Sequence, residues 1–134
     1  MPGNLVVSGV TTLSSDGSPT ETGGDMMVGG MVRATRFSSA SDERLKENIK
    51  KIEHPLELIS TLEGVTFDWI ADGSHDVGLI AQDVEMCLPD AVMESEGIKS
   101  VNYNGVVGLL VESVKELAKD NQLLRMEIDK LRGI

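Results

Sequence analysis

Ser41 and Lys46 are the residues of this 134-residue chain whose types and spacing could do chemistry. A serine hydroxyl is a weak nucleophile until another group accepts its proton, and a lysine amine can do so only when burial or nearby cations lower its pKa. Arg44 is such a cation, whereas the acidic Asp42 and Glu43 act in the opposite direction. Spacing alone also fits a simpler interpretation, in which Ser41 caps a helix and Lys46 is solvated.

The segment that carries this pair is predicted to be helical, with Ser41 as its N-cap. Leu45, Ile49 and Ile52 recur at helical spacing, and acidic residues come early, where the helix dipole favours them. On a regular helix, five residues turn by about 500°, which leaves Lys46 roughly 140° round from Ser41. Lys46 must therefore reach back to an N-cap serine, or a neighbouring subunit must supply it.

Shorter elements are predicted to follow. His54 and Pro55 end or kink the first helix, and the apolar residues of 56–62 suggest another turn or two. Alternation over 64–70 and 75–80, around the turn Ala71–Ser74, predicts a hairpin. We also expect a short helix over Ala81–Cys87 and a small excursion around Glu96-Gly97 within 92–101.

The composition changes abruptly near residue 40. Residues 1–40 contain 18 Ser, Thr or Gly and no Lys, and hold two β-prone runs, Leu5–Val10 and Met26–Val32. Such an arm buries too little to offset its ordering entropy, so we expect it to be flexible or to pair with the arms of other subunits. The sequence therefore predicts an α+β chain, with a β-prone arm over 1–40 and a small domain over 41–134.

The clearest periodicity predicts a coiled coil over 105–132. Apolar residues fill heptad positions a and d, except for one asparagine, which fixes register at some cost in stability. The predicted oligomer residues are Val107, Leu110, Val114, Leu117, Asn121, Leu124, Ile128 and Leu131.

Charges beside this seam favour parallel chains. Asp120 and Glu127 occupy g positions, and Arg125 and Arg132 lie five residues later at e positions, where they can pair between neighbours. The alternative is a single amphipathic helix that lies on its own domain. Because β-branched residues at a with Leu at d lean towards two strands in model peptides, spacing leaves the oligomer number open.

Composition excludes several classes of function. The net charge of −10 argues against nucleic acid as a partner. The lone Cys87 cannot form an intrachain disulfide, and His54 and His75 lie in different elements without clustered ligands, so we expect neither a metal nor another cofactor. No apolar run approaches membrane-spanning length and the first residues do not resemble a signal peptide, so we expect a soluble protein without a membrane partner.

Several motifs, in order, resemble the C-terminal intramolecular chaperone domain of phage tail fibres and tailspikes, the endosialidase-type chaperone or S74 peptidase family. They are Ser41–Ile49, Phe67-Asp68-Trp69, Val77–Val84, Pro89, Val101–Asn104 and the terminal heptads. The resemblance covers residues 41–134.

The resemblance implies an autoprotease. Such a domain forms a homotrimer through its coiled coil, assists folding of the preceding fibre segment, and then cuts itself off. Carried onto this sequence, the scissile bond is Ala40–Ser41, Ser41 is the nucleophile and Lys46 is the general base. The family also implies assembly in the host cytoplasm, with the fibre portion in the virion tail.

Two other functions fit parts of the sequence. In the first, the domain is a non-catalytic registration module that stays in the fibre, and Ser41 is only a cap. The second is a receptor-binding tip, for which the sequence shows no cluster of exposed aromatic residues that could stack on sugars.

The asparagine in the seam generates a test. Asn121→Leu should raise thermal stability but loosen the register or the oligomer state, because it removes a desolvated amide that fixes the alignment of the chains. Thermal unfolding and light scattering measure the two effects. Lower stability with an unchanged single oligomer would instead show that Asn121 belongs to a hydrogen-bond network.

Overall fold

The computed structural model describes residues 25–133, and the chain divides into two compact units, Met1–Leu45 and Lys46–Ile134. In the first unit, residues 25–42 contain no helix or strand and their side chains are exposed. The β-prone run Met26–Val32 is therefore not a strand, and no strand within residues 25–133 pairs with it. The other run, Leu5–Val10, lies outside the described residues, and β-structure in an assembled arm stays a prediction.

The helix predicted from Ser41 to Ile52 is wrong. A 3-10 turn spans Glu43–Leu45, and residues 46–54 form neither helix nor strand. Leu45 and Ile49, two of the three apolar residues at helical spacing, are 73% and 64% exposed. Periodicity fails here because a helix in a protein needs an apolar face that packs against something.

Regular helix begins only after a left-handed residue. His54 has φ 52°, and helix α1 spans Pro55–Ile59 with the proline in its first turn, where its missing N–H costs nothing. This element corresponds to the turn or two predicted after Pro55.

The first predicted hairpin is confirmed with shorter strands. Strand β1, Val65–Asp68, pairs antiparallel with β2, His75–Gly78, in a register that places Val65 opposite Gly78. Trp69 closes the loop, because its N–H donates to the Ser74 carbonyl at 2.8 Å and its own carbonyl accepts the Gly73 N–H at 2.7 Å.

The next elements follow the sequence closely. Helix α2 spans Ala81–Cys87, as predicted, and a 3-10 turn spans Pro89–Ala91. The excursion is a second antiparallel hairpin of β3, Val92–Ser95, and β4, Ile98–Val101. Its two central residues, Glu96 and Gly97, have φ values of 51° and 78°, and positive φ at both is the requirement of a type I′ turn.

Helix α3 spans Tyr103–Leu131 and completes the core of the second unit. Asn102 caps it, because its side chain accepts the Asn104 backbone N–H at 3.1 Å. The buried cluster consists of Val84, Ala91 and Val106, and partly buried apolar side chains surround it: Leu62, Leu79, Leu88, Val92 and Val101. The fully buried Leu109 belongs to the next turn of α3. The second unit is thus a mixed helix and strand structure built on the first turns of one long helix.

Gly105 sets how closely α3 approaches the Pro89–Ala91 turn. A Cβ added there would lie 2.9 Å from the Cβ of Ala91, closer than a methyl group tolerates. At Gly108 on the same helix, the nearest atom, Cδ1 of Ile52, would be 3.7 Å away, an ordinary contact.

The two glycines give a matched pair of substitutions. Gly105→Ala should lower the free energy of unfolding by about 1–3 kcal/mol, because it overpacks a rigid contact. Gly108→Ala should raise it by up to about 1 kcal/mol through helix propensity. Urea unfolding at a fixed protein concentration measures both. Equal effects at the two positions would show that the close approach at Gly105 is not a constraint.

Candidate functional site

The predicted nucleophile lies just before a tight turn. Asp42 caps this turn, because its carboxylate accepts the Arg44 backbone N–H at 2.9 Å and its carbonyl accepts the Leu45 N–H at 3.1 Å. Asp42 directly precedes the turn, so its side chain can reach the orphan N–H groups. Ala40 and Ser41 are both exposed.

The nearby cation is already paired. The Arg44 guanidinium donates from Nε and Nη2 to the two Asp42 carboxylate oxygens, at 2.9 and 2.8 Å. This ion pair lowers the pKa of Asp42, and the backbone N–H of Arg44 adds to the effect. Because the pair carries no net charge, Arg44 is a weak source of the positive potential that would activate a lysine.

Lys46 is the first residue of the second unit, and it is exposed in the single chain. A general-base lysine needs a desolvated or electropositive environment. Burial by the described part of the chain does not provide a desolvated environment for Lys46. Ser41 belongs to the first unit, so the predicted pair lies on either side of the boundary between the units.

The segment that follows Lys46 is anchored on α3 through an ion pair. Lys51 Nζ lies 3.3 Å from a carboxylate oxygen of Glu112, whose side chain is only 16% exposed. Lys115, one helical turn further along α3, donates to the same carboxylate at 2.8 Å. The pKa of Glu112 is lowered mainly by the hydrogen bond from Lys115, with a further contribution from Lys51, against partial desolvation that acts to raise it.

Two further contacts attach this segment to the same face of α3. The Leu56 backbone N–H donates to Oε2 of Glu116 at 3.4 Å, and Ile52 packs over Gly108. Gly108, Glu112 and Glu116 follow one another at intervals of four residues, so they form one stripe along the helix.

The predicted oligomer residues lie on another face of α3 and are not buried in the single chain. The seven apolar members of the seam are between 45% and 88% exposed, and Asn121 is exposed as well. Val106, Leu109 and Ser113 are buried against the helix's own unit. From Leu117 to Gly133 every side chain is exposed. The alternative of a helix lying on its own domain therefore accounts for one face of the first turns only.

The first hairpin carries an aromatic pair that sequence reasoning did not single out as a surface. The rings of Phe67 and Trp69 meet edge to face with centroids 5.2 Å apart, and Trp69 is 52% exposed. Trp69 Nε1 donates a hydrogen bond to the Asp76 carboxylate at 3.1 Å. The pKa of Asp76 is lowered mainly by the hydrogen bond from the Val77 backbone N–H, and the bond from Trp69 adds to this effect. The sequence did contain a signal for this surface, because two aromatic residues at i and i+2 of an extended segment lie on the same face.

These rings line an open groove of about 720 Å³ between the first hairpin, α2 and β4. Tyr103 borders it from the first turn of α3, and its hydroxyl accepts the Leu79 N–H at 3.2 Å. A Cβ at Gly78 would lie 2.8 Å from that hydroxyl. The predicted motif around Tyr103 therefore joins the hairpin to the long helix.

The two histidines have separate, ordinary roles. His54 provides the left-handed residue before α1, and His75 Nδ1 lies 2.7 Å from an Asp68 carboxylate oxygen across the hairpin. Over residues 25–133, no cluster of three His, Cys, Asp or Glu could hold a metal ion. None of the helices within that range is long and apolar enough to cross a membrane.

The chain is similar in sequence to known proteins. The family described as chaperone of endosialidase, Peptidase S74, matches residues 41–93. The chain is 32% identical over 118 residues to the long tail fiber protein Gp37 of Salmonella phage S16, a match that covers 79% of this chain. It is 34% identical over 105 residues to the protein of the same name from Enterobacteria phage K3, covering 71% of this chain.

These relatives are much longer. The matched part spans 16% of the S16 protein and 8% of the K3 protein. A further Gp37, from Enterobacteria phage M1, is 34% identical over 96 residues, and the match covers 38% of its length. The family match begins at Ser41, the residue at which the sequence resemblance was predicted to begin. Residues 41–93 of this chain therefore belong to the chaperone-of-endosialidase family.

Proposed function

We propose that this chain is the C-terminal part of a phage tail fibre or tailspike. In this proposal, residues 41–134 form a homotrimer, assist folding of the preceding fibre segment and release themselves by cutting the Ala40–Ser41 bond. The observation that carries the assembly role is the exposed apolar seam of α3, whose other face is already buried in its own unit. The fibre context rests on the tail fibre relatives.

The seam supports association on energetic grounds. Full burial of a Leu, Ile or Val side chain is worth about 1.5–3 kcal/mol, and each chain presents seven such residues in heptad spacing. Asp120, Arg125, Glu127 and Arg132 are exposed beside the seam, as interchain pairing in parallel coiled coils requires. The number three comes from the family.

The arm over residues 1–40 is, in this proposal, the end of the fibre shaft and the folding client. Parallel assembly of three α3 helices would bring three arms together, which raises their local concentration and offsets the entropy of pairing their β-prone runs. Assembly would take place in the host cytoplasm, and the fibre portion would remain in the virion tail.

Self-cleavage would use the Ser41 hydroxyl and the Lys46 amine. Neutral Lys46 accepts the hydroxyl proton as Ser41 Oγ attacks the Ala40 carbonyl carbon through a five-membered ring. The C–N bond then breaks, the proton passes to the released Ser41 amine, and an ester remains between Ala40 and Ser41 Oγ. Water hydrolyses this ester, giving a carboxylate on Ala40 and restoring the hydroxyl. Backbone N–H groups would have to stabilise the oxyanion.

The exposure of Lys46 in the single chain favours completion of this site by neighbouring chains. Desolvation is one of the physical effects that make a lysine amine neutral, and assembly is its most direct source here. A neighbour could also contribute its own Lys46 to the Ser41 of this chain.

A non-catalytic registration module is the second candidate. The neutral Asp42–Arg44 pair and the exposed Lys46 favour it, because neither activates a serine. In that case the domain assembles the fibre and stays attached. Self-cleavage separates the two candidates.

The assembly proposal predicts a parallel homotrimer at micromolar concentration, measured by light scattering. Leu117→Asp with Leu124→Asp should give monomers, because charged side chains in the seam cannot be buried unpaired. Leu123→Asp is the matched control, since Leu123 is 51% exposed but lies outside the seam. A wild-type monomer would contradict assembly, whereas a stable dimer would contradict only the number.

The cleavage proposal predicts that the purified wild type separates into residues 1–40 and 41–134, the latter beginning Ser41-Asp42-Glu43. Ser41→Ala should stay whole, and Lys46→Ala should retain at most a slow trace. Lys46→Arg should be nearly as damaging, because a guanidinium stays protonated and cannot accept a proton. Intact mass measurement reports the products.

Ser38→Ala and Lys50→Ala are the controls, because each removes the same side chain from a nearby exposed position and should leave cleavage unchanged. The Leu117→Asp, Leu124→Asp variant should stay whole if the site is completed only in the trimer. Cleavage of Lys46→Arg at the wild-type rate would refute the general-base role, and an uncut wild type would favour the registration module.

A further inference from the structure

The segment that begins with Lys46 depends on α3 for its position. Residues 46–54 contain no helix or strand, and Asn48 and His54 have left-handed backbone conformations. Repeating backbone hydrogen bonds therefore do not hold this stretch in place. Contacts with another element must do so.

Those contacts come from one stripe of α3. Glu112 pairs with Lys51 at 3.3 Å, Ile52 lies over Gly108, and Glu116 accepts the Leu56 N–H at 3.4 Å. Glu112 is central to this stripe and its side chain is mostly shielded from solvent, whereas the Lys51 side chain is 71% exposed, so solvent reaches this pair from the lysine side only.

The same turns of α3 carry the beginning of the oligomer seam. Val107, Leu110 and Val114 are exposed seam residues in the same turns, and at about 100° per residue they lie on the face opposite the stripe of Gly108, Glu112 and Glu116. A helix is rigid over two or three turns. The position of the Lys46 segment is therefore fixed relative to the surface that neighbouring chains would cover.

We propose that Glu112 is a positioning residue for self-cleavage: through Lys51, it holds the segment that carries Lys46 against α3, on the face of the helix opposite the seam. This inference rests on the proposed self-cleavage, and it assigns to an acidic residue of the long helix a role in orienting the general base. Glu112 acts through Lys51 and touches no reacting atom.

The test compares cleavage rates of Glu112→Gln and Lys115→Gln with the wild type. Glu112→Gln keeps the shape of the side chain but removes the charge that holds Lys51, and cleavage should slow by roughly tenfold to a hundredfold, as expected for a misplaced catalytic group. Lys115→Gln removes the other partner of Glu112 without touching residues 46–56, and the rate should stay within about twofold. Light scattering should show the wild-type oligomer for both.

Charge reversal distinguishes positioning from a general loss of structure. In the Lys115→Gln background, which removes a like charge beside position 112, Lys51→Glu and Glu112→Lys should each slow cleavage. Together they should restore the rate, because the ion pair is rebuilt with its charges exchanged. The proposal would be overturned if the variant that carries both Lys51→Glu and Glu112→Lys cleaved no faster than the variants that carry only one of them.

Hydrogen exchange gives a readout that does not need cleavage. In uncut Ser41→Ala chains, Glu112→Gln should increase exchange of the amides of residues 47–56 relative to Lys115→Gln. Unchanged exchange, or wild-type cleavage by Glu112→Gln, would overturn the positioning role while self-cleavage stands. Faster exchange with an uncut wild type would instead support the anchor and refute the proposed self-cleavage.

Discussion

The packing of one face of α3 against its own unit is the contact on which the other features of this molecule depend. Val106 packs with Val84 and Ala91, Leu109 is fully buried in the next turn, and the absence of a side chain at Gly105 lets the helix approach Ala91 closely. With this face occupied, the apolar heptad residues stay exposed in the part of the chain that the structure describes. In the proposed assembly, burial of this apolar stripe would contribute several kcal/mol.

The same helix organises the elements around it. Tyr103 in its first turn binds the end of the first hairpin through the Leu79 N–H, and Asn102 donates its backbone N–H to the Ala91 carbonyl at 2.7 Å. Further along, Glu112 and Glu116 hold the segment that leads from Lys46 into α1. The long helix is thus a scaffold within the chain, and in the proposed assembly its seam is the surface offered to other chains.

The proposed chemistry depends on the surroundings of Lys46. A serine and lysine pair needs a neutral amine, which desolvation or a nearby positive charge favours. Among the described residues, Lys46 is exposed and the Arg44 charge is compensated by Asp42. In the proposed assembly, neighbouring chains would supply the desolvation, so cutting would follow association.

Local patterns determined much of this structure from sequence alone. The heptads, the Asn102 cap, the first hairpin and α2 could be predicted, because each depends on residues close together in the chain. The helix predicted over Ser41–Ile52 was wrong for a physical reason: apolar spacing indicates which residues could share a face, but not what they pack against. Ile52 contacts α3, whereas Leu45 and Ile49 stay exposed. The pairing of Lys51 with Glu112 joins residues 61 positions apart. Which face of α3 is buried against its own unit also depends on contacts between residues far apart in the sequence. Only the tertiary structure decided this pairing and the buried face of α3, because sequence periodicity does not show which elements pack against each other.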